Sequence, residues 1–324
     1  MVMGAGAIGS LYGGLLSQAG ADVTLVGRPI HMNAISSNGL RLKGLVGDHT
    51  SYPEARTTAN GIDHADFVFV TTKAYDTHTA VRDIRHLSDS GAYVLVLQNG
   101  LDSEIAAAEI LQTRRVLRAT TCMGAVVTAP GEVTVTGLGL TEIGTHYPEN
   151  RPQMEQVADL LRYASLEVRL SDNVDGLVWT KTIVNCGLNP VAALTGLRNG
   201  ELYNNPLLRR LVVRLVEEAT AVAMAMGVKL TTDDPVRYTL GTAKATFQNI
   251  NSMLQDLLNG RRTEIDAISG SVIRLARQFD VPVPVTESVY ALVRAIESTI
   301  IADRSRRRIP FMTVPELASA ITSY

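Results

Sequence analysis

The sequence predicts an α/β domain followed by an all-helical domain. Three observations support this order. A glycine-rich turn between two apolar segments opens the chain, strand-like apolar runs recur up to about residue 171, and only helix-length segments follow. A chain of 324 residues is long enough for two domains that each bury a core. We therefore expect one domain over residues 1–171 and a second over residues 172–324.

The composition excludes several classes of protein. The chain is 46% hydrophobic and 19% charged with a formal net charge of -2, and so lacks the basic excess of a nucleic-acid binder. Its two cysteines form neither a disulfide framework nor a metal-binding spacing, and no apolar run is long enough to span a membrane. We expect a cytoplasmic protein without a metal, a nucleic-acid partner or a membrane partner. The basic run at 304–308 is expected to be a solvated helix end.

The first element is a strand, turn and helix with the pattern G-x-G-x-x-G. A short apolar run precedes the pattern, a helix-like segment follows it, and "ADVTLVG" is then typical of a second strand. This context predicts a Rossmann-like dinucleotide-binding domain, in which the helix N-terminus binds the pyrophosphate. The candidate cofactor-binding residues of the turn are Gly4, Gly6, Ala7, Ile8 and Gly9. Because only three residues precede Gly4, we expect the first strand to be truncated or to begin upstream.

The end of the second strand indicates which dinucleotide binds. NAD-binding domains of this kind place an Asp or Glu there to hold the ribose 2′-hydroxyl. No acid occurs between Val23 and Gly47, whereas Arg28 ends the segment "VTLVGRP". A guanidinium suits a 2′-phosphate, so NADP is the predicted cofactor. Arg28 could instead be an ordinary surface charge. This alternative is less favoured, because the absence of an acid and the presence of an arginine both indicate NADP.

Two later segments, "ADFVFVTTKAYD" and "AYVLVLQNG", each predict a buried parallel strand that runs into a polar turn. Ligands of such sheets lie at the carboxyl ends of the strands, so Lys73 and Asn99 are expected to line the nicotinamide end of the cofactor site. Either residue could instead belong to a simple turn, since Asn-Gly is a strong turn signal. Residues 115–145 predict extra strands that complete the sheet. The segment "NRPQMEQVADLLRYA" has helical periodicity, and "SLEVRLSDN" then closes the domain near residue 171.

The helical domain begins with "WTKTIVNCGLNP", in which Lys181, Asn185 and Asn189 recur every fourth residue. In an α-helix these side chains share nearly one face, which could meet a ligand, face solvent, or form a satisfied polar seam between helices. All six histidines lie in the first 146 residues, so this domain has no histidine acid or base. Lys181 is then the candidate acid for a reaction at a carbonyl group.

The segment "ATFQNINSMLQDLLNGRRTEID" carries three more candidates. Its pattern places Asn249 and Ser252 on one helical face and predicts a break at Asn259-Gly260 before a new helix near Glu264. Glu264 could simply stabilise a helix N-terminus, and Asn249 and Ser252 could serve in packing or capping.

These segments together resemble the ketopantoate reductase (2-dehydropantoate 2-reductase) family over nearly the whole chain. The resemblance rests on "GAGAIGSLYG" with Arg28, Lys73 in "VTTKAYD", Asn99 in "LQNG", "WTKTIVNCGLNPVAALTG" and "NINSMLQDLLNGRRTEID". It implies NADPH-dependent reduction of ketopantoate to D-pantoate in pantothenate and coenzyme A biosynthesis, with a homodimer as one possible assembly.

The resemblance also implies a role for each candidate residue. Lys181 would be the general acid and Glu264 its partner and a substrate ligand, while Lys73 and Asn99 would lie beside the nicotinamide ribose and the substrate. The residues expected around the substrate are Asn185, Asn189, Asn249, Ser252 and Asn99. Two alternatives remain: a reductase of another branched 2-keto acid that uses the same lysine, and a non-catalytic NADP-sensing module.

Overall fold

The computed structural model describes residues 1–302 and divides the chain into two compact units, Met1–Val174 and Asp175–Tyr324. The first unit is mixed α/β, and the second is helical over its described residues. The predicted fold class is thus confirmed. The basic run at 304–308 lies outside the described residues.

The strands of the first unit are β1 (Val2–Met3), β2 (Thr24–Val26), β3 (Leu40–Gly44), β4 (His49–Ser51), β5 (Glu54–Arg56), β6 (Phe67–Val70), β7 (Tyr93–Val96), β8 (Val116–Thr121), β9 (Gly124–Ala129), β10 (Glu132–Gly137), β11 (Thr141–Gly144) and β12 (Val168–Leu170). Its helices are α1 (Ala7–Gln18), α2 (Pro29–Asn38), α3 (Thr77–Asp83), α4 (Arg85–Asp89), α5 (Ser103–Leu111) and α6 (Arg151–Tyr163).

The main sheet of this unit has the order β12-β11-β8-β7-β6-β1-β2-β5. Neighbouring strands from β5 to β8 pair in parallel, whereas β11 pairs antiparallel with β8. The carboxyl ends of β2, β1, β6 and β7 therefore lie side by side at one edge, which is where a doubly wound sheet binds its ligands.

The expectation that residues 115–145 complete this sheet is only partly correct. β8 and β11 join it, but β9 and β10 form a hairpin that belongs to a separate sheet of order β4-β3-β10-β9. Alternating apolar residues indicate that a segment is a strand, but they do not indicate which partner it pairs with.

The side chains of the parallel strands alternate between two cores. Phe69 of β6 packs in the core that contains residues of α1 and α6, while Val68 and Val70 pack in the core that contains residues of α3 and α5. β7 divides in the same way, with Leu95 on the first side and its neighbours on the second. Each fully buried side chain of this size contributes about 1.5 to 3 kcal/mol relative to exposure.

The helices of the second unit are α7 (Val174–Thr195), α8 (Asn199–Asn204), α9 (Pro206–Ala225), α10 (Pro235–Ala245), α11 (Ser252–Leu258), α12 (Ser271–Gln278) and α13 (Pro284–Ala302), with a π-helix at Asp266–Gly270. No helix among the described residues is both long and apolar enough to cross a bilayer.

Two sequence features bring these helices together. A Cβ added at Gly187 of α7 would lie 2.7 Å from Val216 Cγ2, so the glycine permits close packing of α7 on α9. The buried carboxylate of Glu218 on α9 accepts hydrogen bonds from the backbone N–H groups of Val285 and Thr286, at 3.0 and 2.8 Å. This carboxylate satisfies N–H groups in the first turn of α13 and ties α13 to α9.

Candidate active site

In the glycine-rich turn, a side chain at Gly4 or Gly9 would collide with the protein itself, whereas a side chain at Gly6 would not. Gly4 has a φ of +107°, and a Cβ there would lie 2.5 Å from the Thr72 nitrogen. A Cβ at Gly9 would lie 2.5 Å from Thr71 Oγ1. At Gly6, by contrast, the nearest atom to an added Cβ is Gly4 O at 3.9 Å, so the space beside Gly6 is open. That space suits a ligand that approaches the backbone closely.

The helix that follows the turn has an N-terminus suited to an anion. Gly6 is the N-cap of α1 and provides no side-chain cap, and the first turn contains no acidic residue. A helix leaves its first N–H groups without intrahelical partners, here including those of Ala7, Ile8 and Gly9. These donors and the helix dipole favour a phosphate group.

Arg28 lies next to this turn. The N–H groups of Gly4 and Ala5 both donate to Val26 O at 2.9 Å, which fixes the end of β2 beside the glycines. Two residues later, Arg28 is the N-cap of α2, and its side chain is exposed. The guanidinium is therefore accessible to a phosphate bound near the end of β2.

Lys73 and Asn99 follow β6 and β7, and the structure brings their turns together through Gln98. The buried Gln98 amide donates from Nε2 to Thr72 O at 2.9 Å and to Lys73 O at 3.3 Å. Its Oε1 accepts a hydrogen bond from the Thr77 hydroxyl at 3.0 Å. Lys73 and Asn99 themselves are half-buried, so both are reachable at this edge of the sheet.

In the second unit, Lys181, Asn185 and Asn189 all lie on the unbroken α7 and hence on nearly one face. Lys181 and Asn185 are half-buried, while Asn189 is only 5% exposed. Within residues 1–302 the amides of Asn185 and Asn189 make no side-chain hydrogen bond. Buried amides normally have partners, so this face is better suited to a polar ligand than to a self-satisfied seam between helices.

The expectation that Asn249 and Ser252 share a helical face is wrong. α10 ends at Ala245 and α11 begins at Ser252, so Asn249 lies in the connection. The reason is that Asn251 caps α11: its Oδ1 accepts a hydrogen bond from the Leu254 N–H at 3.2 Å and so begins a new helix there.

This connection is nevertheless held against α7. The Asn251 amide donates to Leu188 O at 3.5 Å and to Asn199 Oδ1 at 3.3 Å, and the Asn199 N–H donates to Asn249 O at 3.1 Å. Because Leu188 precedes Asn189, the structure brings Asn249 and Ser252 to the same part of α7 as Asn189. Neither Asn249 nor Ser252 makes a side-chain hydrogen bond within the described residues.

Glu264 lies in the segment after the predicted Asn259-Gly260 break, where α11 indeed ends, and two residues before the start of the π-helix. The side chain is 5% exposed. Short π-helical turns are frequent at functional sites. The Ser269 hydroxyl of this turn is hydrogen-bonded to the Cys186 thiol of α7, so the π-helix packs beside Asn185.

The buried Glu297 and the half-buried Asp266 place carboxylates on either side of Glu264 along this part of the fold. Glu297 Oε2 accepts hydrogen bonds from the Thr263 N–H at 2.8 Å and the Thr263 hydroxyl at 2.6 Å. Burial alone would raise the pKa of Asp266, but hydrogen bonds from Tyr290 and Arg262 together hold it below its ordinary value. Asp266 is therefore an ionised anchor two residues from Glu264.

Sequence reasoning missed Gln98, Asn251 and Glu297, the residues that hold the candidates in place. For Gln98 a signal existed, since it is the one amide that directly continues the apolar run "YVLVL". Glu297 also left a signal, because it continues the buried spacing of Val289 and Val293 on α13. Asn251 could not be distinguished from Asn249 by residue type.

The buried Cys186 thiol is held in its protonated form. Burial raises the pKa of Cys186 to about 12, so the thiol beside Asn185 stays protonated. Within residues 1–302, no group of three or more His, Cys, Asp or Glu side chains is arranged to hold a metal ion.

The chain matches two parts of one known protein family. The family described as ketopantoate reductase PanE/ApbA matches residues 1–148, and the ketopantoate reductase PanE/ApbA C-terminal family matches residues 173–297. The 2-dehydropantoate 2-reductase of Pyrococcus horikoshii is 38% identical over 298 residues, which is 92% of this chain and 97% of that protein. The Archaeoglobus fulgidus enzyme of the same name is 35% identical, with coverage of 92% and 97%.

Solved structures agree with this relationship. A PanE/ApbA family ketopantoate reductase from Ralstonia eutropha JMP134 superposes with a TM-score of 0.84 at 35% identity, covering 92% of this chain and 98% of that one. D-mandelate dehydrogenase, solved with NADH and anilino(oxo)acetate, superposes with a TM-score of 0.86 at 26% identity and the same coverage. Matches over both units and nearly full length leave one assignment: the chain belongs to the ketopantoate reductase family of oxidoreductases.

Proposed function

We propose that the protein uses NADPH to reduce the 2-keto group of 2-dehydropantoate (ketopantoate) to D-pantoate, as a step of pantothenate and coenzyme A biosynthesis. The observation that carries the proposal is the polar face of α7, where Lys181 stands in line with two amides that have no partner of their own within the described residues. The names of the relatives from Pyrococcus horikoshii and Archaeoglobus fulgidus support the choice of keto acid.

The residues of the first unit fit NADP. The open space beside Gly6 and the free first turn of α1 suit the pyrophosphate, and the exposed Arg28 suits the 2′-phosphate. When bound, NADPH supplies a hydride to the carbonyl carbon of the substrate. Lys73 and Asn99, whose turns Gln98 joins, would orient the nicotinamide end.

The residues of the second unit supply the proton and bind the acid. Lys181 donates a proton from Nζ to the keto oxygen as negative charge develops there, and Glu264 pairs with the ammonium and accepts a hydrogen bond from the substrate hydroxyl. Asn185, Asn189, Asn249 and Ser252 provide the amide and hydroxyl groups that bind the substrate carboxylate and fix its orientation.

A second candidate is reduction of a different 2-keto acid by the same lysine chemistry. The similarity to D-mandelate dehydrogenase supports this second candidate. Because that structure contains NADH, NADH is also the cofactor to compare with NADPH. One family fold thus accommodates different acids, so the fold by itself does not select the substrate.

A steady-state assay of the purified protein tests the proposal. The substrates are ketopantoate, its deoxy analogue 2-keto-3,3-dimethylbutanoate, and phenylglyoxylate, each with NADPH and with NADH. We expect ketopantoate to exceed the deoxy analogue by at least about tenfold in kcat/KM. The deoxy acid would leave the buried Glu264 carboxylate without a hydroxyl partner, which costs about 1 to 3 kcal/mol in the binding of the transition state. Glu264→Ala should remove most of this preference.

The other outcomes separate the alternatives. Equal use of the deoxy acid, or a preference for phenylglyoxylate, would contradict recognition of the hydroxyl and favour a reductase of another keto acid. Binding of NADPH without turnover of any of the three acids would favour a sensing module.

Replacement of the proposed acid gives a second test. Lys181→Ala should lower kcat with ketopantoate by about 10² to 10⁴ fold, the usual effect of losing a general acid. Lys244→Ala, which removes an exposed lysine in the last turn of α10, is the matched control and should retain the parent kcat. A folded Lys181→Ala protein that turns over within a few fold of the parent would exclude Lys181 as the acid.

The compartment and the assembly stay predictions. Both cysteines are free, one exposed and one buried, which supports a reducing compartment such as the cytoplasm. Size-exclusion chromatography with light scattering would test the homodimer.

A further inference from the structure

β8 carries a positive charge into the core of the first unit. Arg118 is 1% exposed and is the largest fully buried side chain among the described residues. Removing a guanidinium from water costs several kcal/mol unless it is paired and hydrogen-bonded. An apolar side chain would fill this space with less penalty, so the contacts of Arg118 need a separate explanation.

The guanidinium spans the turn that carries Asn99. Nη1 donates to Val96 O at 3.1 Å, and Nη2 donates to Gly100 O at 3.0 Å. Val96 is the last residue of β7 and Gly100 directly follows Asn99. The two hydrogen bonds therefore hold both ends of the short segment 97–99.

The middle of the same segment is held from the opposite direction. Gln98 is 4% exposed, and its amide makes the bonds to Thr72, Lys73 and Thr77 described above. Asn99 thus lies between two buried neighbours, one fixed by its own side chain and the other by Arg118. Its backbone has little freedom while both sets of bonds are intact.

The backbone after Asn99 is in conformations that need such support. Gly100 has a φ of +88°, and Asp102 has a φ of +66°, which is uncommon for a residue with a side chain. Backbone of this kind persists where the surrounding structure fixes it. Arg118 supplies a hydrogen bond to the Gly100 carbonyl at this point.

A buried carboxylate balances the charge of Arg118. Glu104 in the first turn of α5 is 5% exposed, and its Oε2 lies 3.1 Å from Arg118 Nε. Its Oε1 lies 3.3 Å from His146 Nε2. Burial alone would raise the pKa of Glu104, but Arg118 and His146 hold it below its ordinary value, so the carboxylate is ionised.

We infer that Arg118 is a positioning residue, which holds the Val96 and Gly100 carbonyls so that Asn99 presents its amide at the carboxyl end of β7. Glu104 acts through Arg118 by neutralising it. The inference rests on the proposed function, because the role of Asn99 is part of that proposal. Arg118 itself is buried in the core and acts through Asn99.

A double-mutant cycle with Asn99 tests the inference. Arg118→Lys keeps a cation beside Glu104 but cannot place two planar nitrogens on both carbonyls. With ketopantoate and NADPH, it should lower kcat about tenfold to a hundredfold, since small misplacements of orienting groups have effects of this size. In an Asn99→Ala background the same substitution should lower kcat less than about twofold, because the group that it positions is absent.

Two further measurements separate positioning from general damage. Fluorescence titration should show that Arg118→Lys changes the Kd for NADPH less than about threefold, since the glycine-rich turn is untouched. Hydrogen exchange of the amides at 98–102 should become at least about tenfold faster, while exchange of α1 stays as in the parent. Tyr12→Phe is the matched control: it removes a buried hydroxyl that bonds to Thr121 at the other end of β8 and should leave kcat unchanged.

Each remaining outcome contradicts the inference. Equal losses in the parent and Asn99→Ala backgrounds would assign Arg118 a structural role only and leave the proposed function intact. Parent activity in Asn99→Ala would instead remove Asn99 from the proposed function and the positioning role with it. If Arg118→Lys does not fold, the double variant Arg118→Met with Glu104→Leu, which removes both buried charges, replaces it in the cycle. Equal losses of kcat from this double variant in the parent and Asn99→Ala backgrounds would again assign Arg118 a structural role only.

Discussion

Arg28 is the residue on which the choice of cofactor depends. It is exposed at the N-cap of α2, and the end of β2 is fixed beside the glycine-rich turn by the bonds to Val26. Arg28→Ala should weaken NADPH binding by about 1.5 to 3 kcal/mol, the contribution of a charge-assisted hydrogen bond, and leave NADH binding nearly unchanged. Fluorescence titration of both cofactors would show an increase of about 10 to 150 fold in the Kd for NADPH.

The control for Arg28 is an arginine of the same unit on the separate sheet. Arg41 lies on β3 of that sheet, and its guanidinium is already paired with Asp48 at 2.7 Å. Arg41→Ala should bind both cofactors as the parent does. An equal loss of NADPH and NADH affinity in Arg28→Ala would argue against a contact with the 2′-phosphate.

The role of a residue was predictable where only one residue type fits the backbone, and ambiguous where the same side chain can serve several roles. Gly4 and Gly9 could be assigned from their spacing, because a Cβ at either position would collide with the turn after β6. Asn249 and Asn251 look equivalent in sequence. Only the observed bond from the Leu254 N–H to Asn251 distinguishes the helix cap from the residue with an unused amide.

Three elements of the first unit meet at His31. The Gly131 N–H, in the turn between β9 and β10, donates to His31 Nδ1 at 3.0 Å, so Nδ1 carries no proton. His31 Nε2 then carries the proton and donates to Ser10 Oγ of α1 at 3.0 Å. This arrangement needs a neutral ring, and burial lowers the pKa of His31 below its ordinary value.

This junction predicts a loss of stability in acid. Because the folded-state pKa is lowered, the unfolded chain takes up the proton first as the pH falls below the ordinary histidine value of about 6.5. The contribution of His31 is therefore complete above that pH and decreases as the pH falls from there through the folded-state pKa. Urea unfolding at pH 7.5 and 5.5 should show that the free energy of unfolding of His31→Asn falls less on acidification than that of the parent.

The parent and the variant share every other titrating group, so the difference between them isolates the ring. An identical fall in both proteins would mean that His31 takes up its proton to the same extent in the folded and the unfolded chain, and would contradict the prediction.

Elements were easier to predict than their partners. The strands β6 and β7 and the helix α7 follow from local patterns of apolar residues, and the structure contains all three. The placement of β9 and β10 in a second sheet depends on pairing with β3, which is about 90 residues earlier in the chain. The π-helix after Glu264 was equally hidden, because its backbone hydrogen bonds differ from those of an α-helix only in spanning five residues instead of four.

At the scale of the whole molecule, the two units differ in the pattern of apolar residues that predicts them. The first unit was predictable because buried parallel strands ending in polar turns are a strong signal, and the second because strand signals stop after residue 171. The supporting contacts were not predictable. Arg118 and Glu104 are ordinary charged residues in the sequence, and only the fold reveals that they form a pair inside the core.

The alternation in β6 and the four-residue spacing in α7 determine where this protein tolerates insertions and deletions. One residue added within β6 would exchange the side chains that face the two cores, moving Phe69 to the side that Val68 and Val70 occupy. One residue added between Lys181 and Asn189 would turn the later amide away from the lysine by about 100°. Changes in chain length are therefore confined to the connections, such as the exposed turn at Gly47, where no atom lies within 4 Å of an added Cβ.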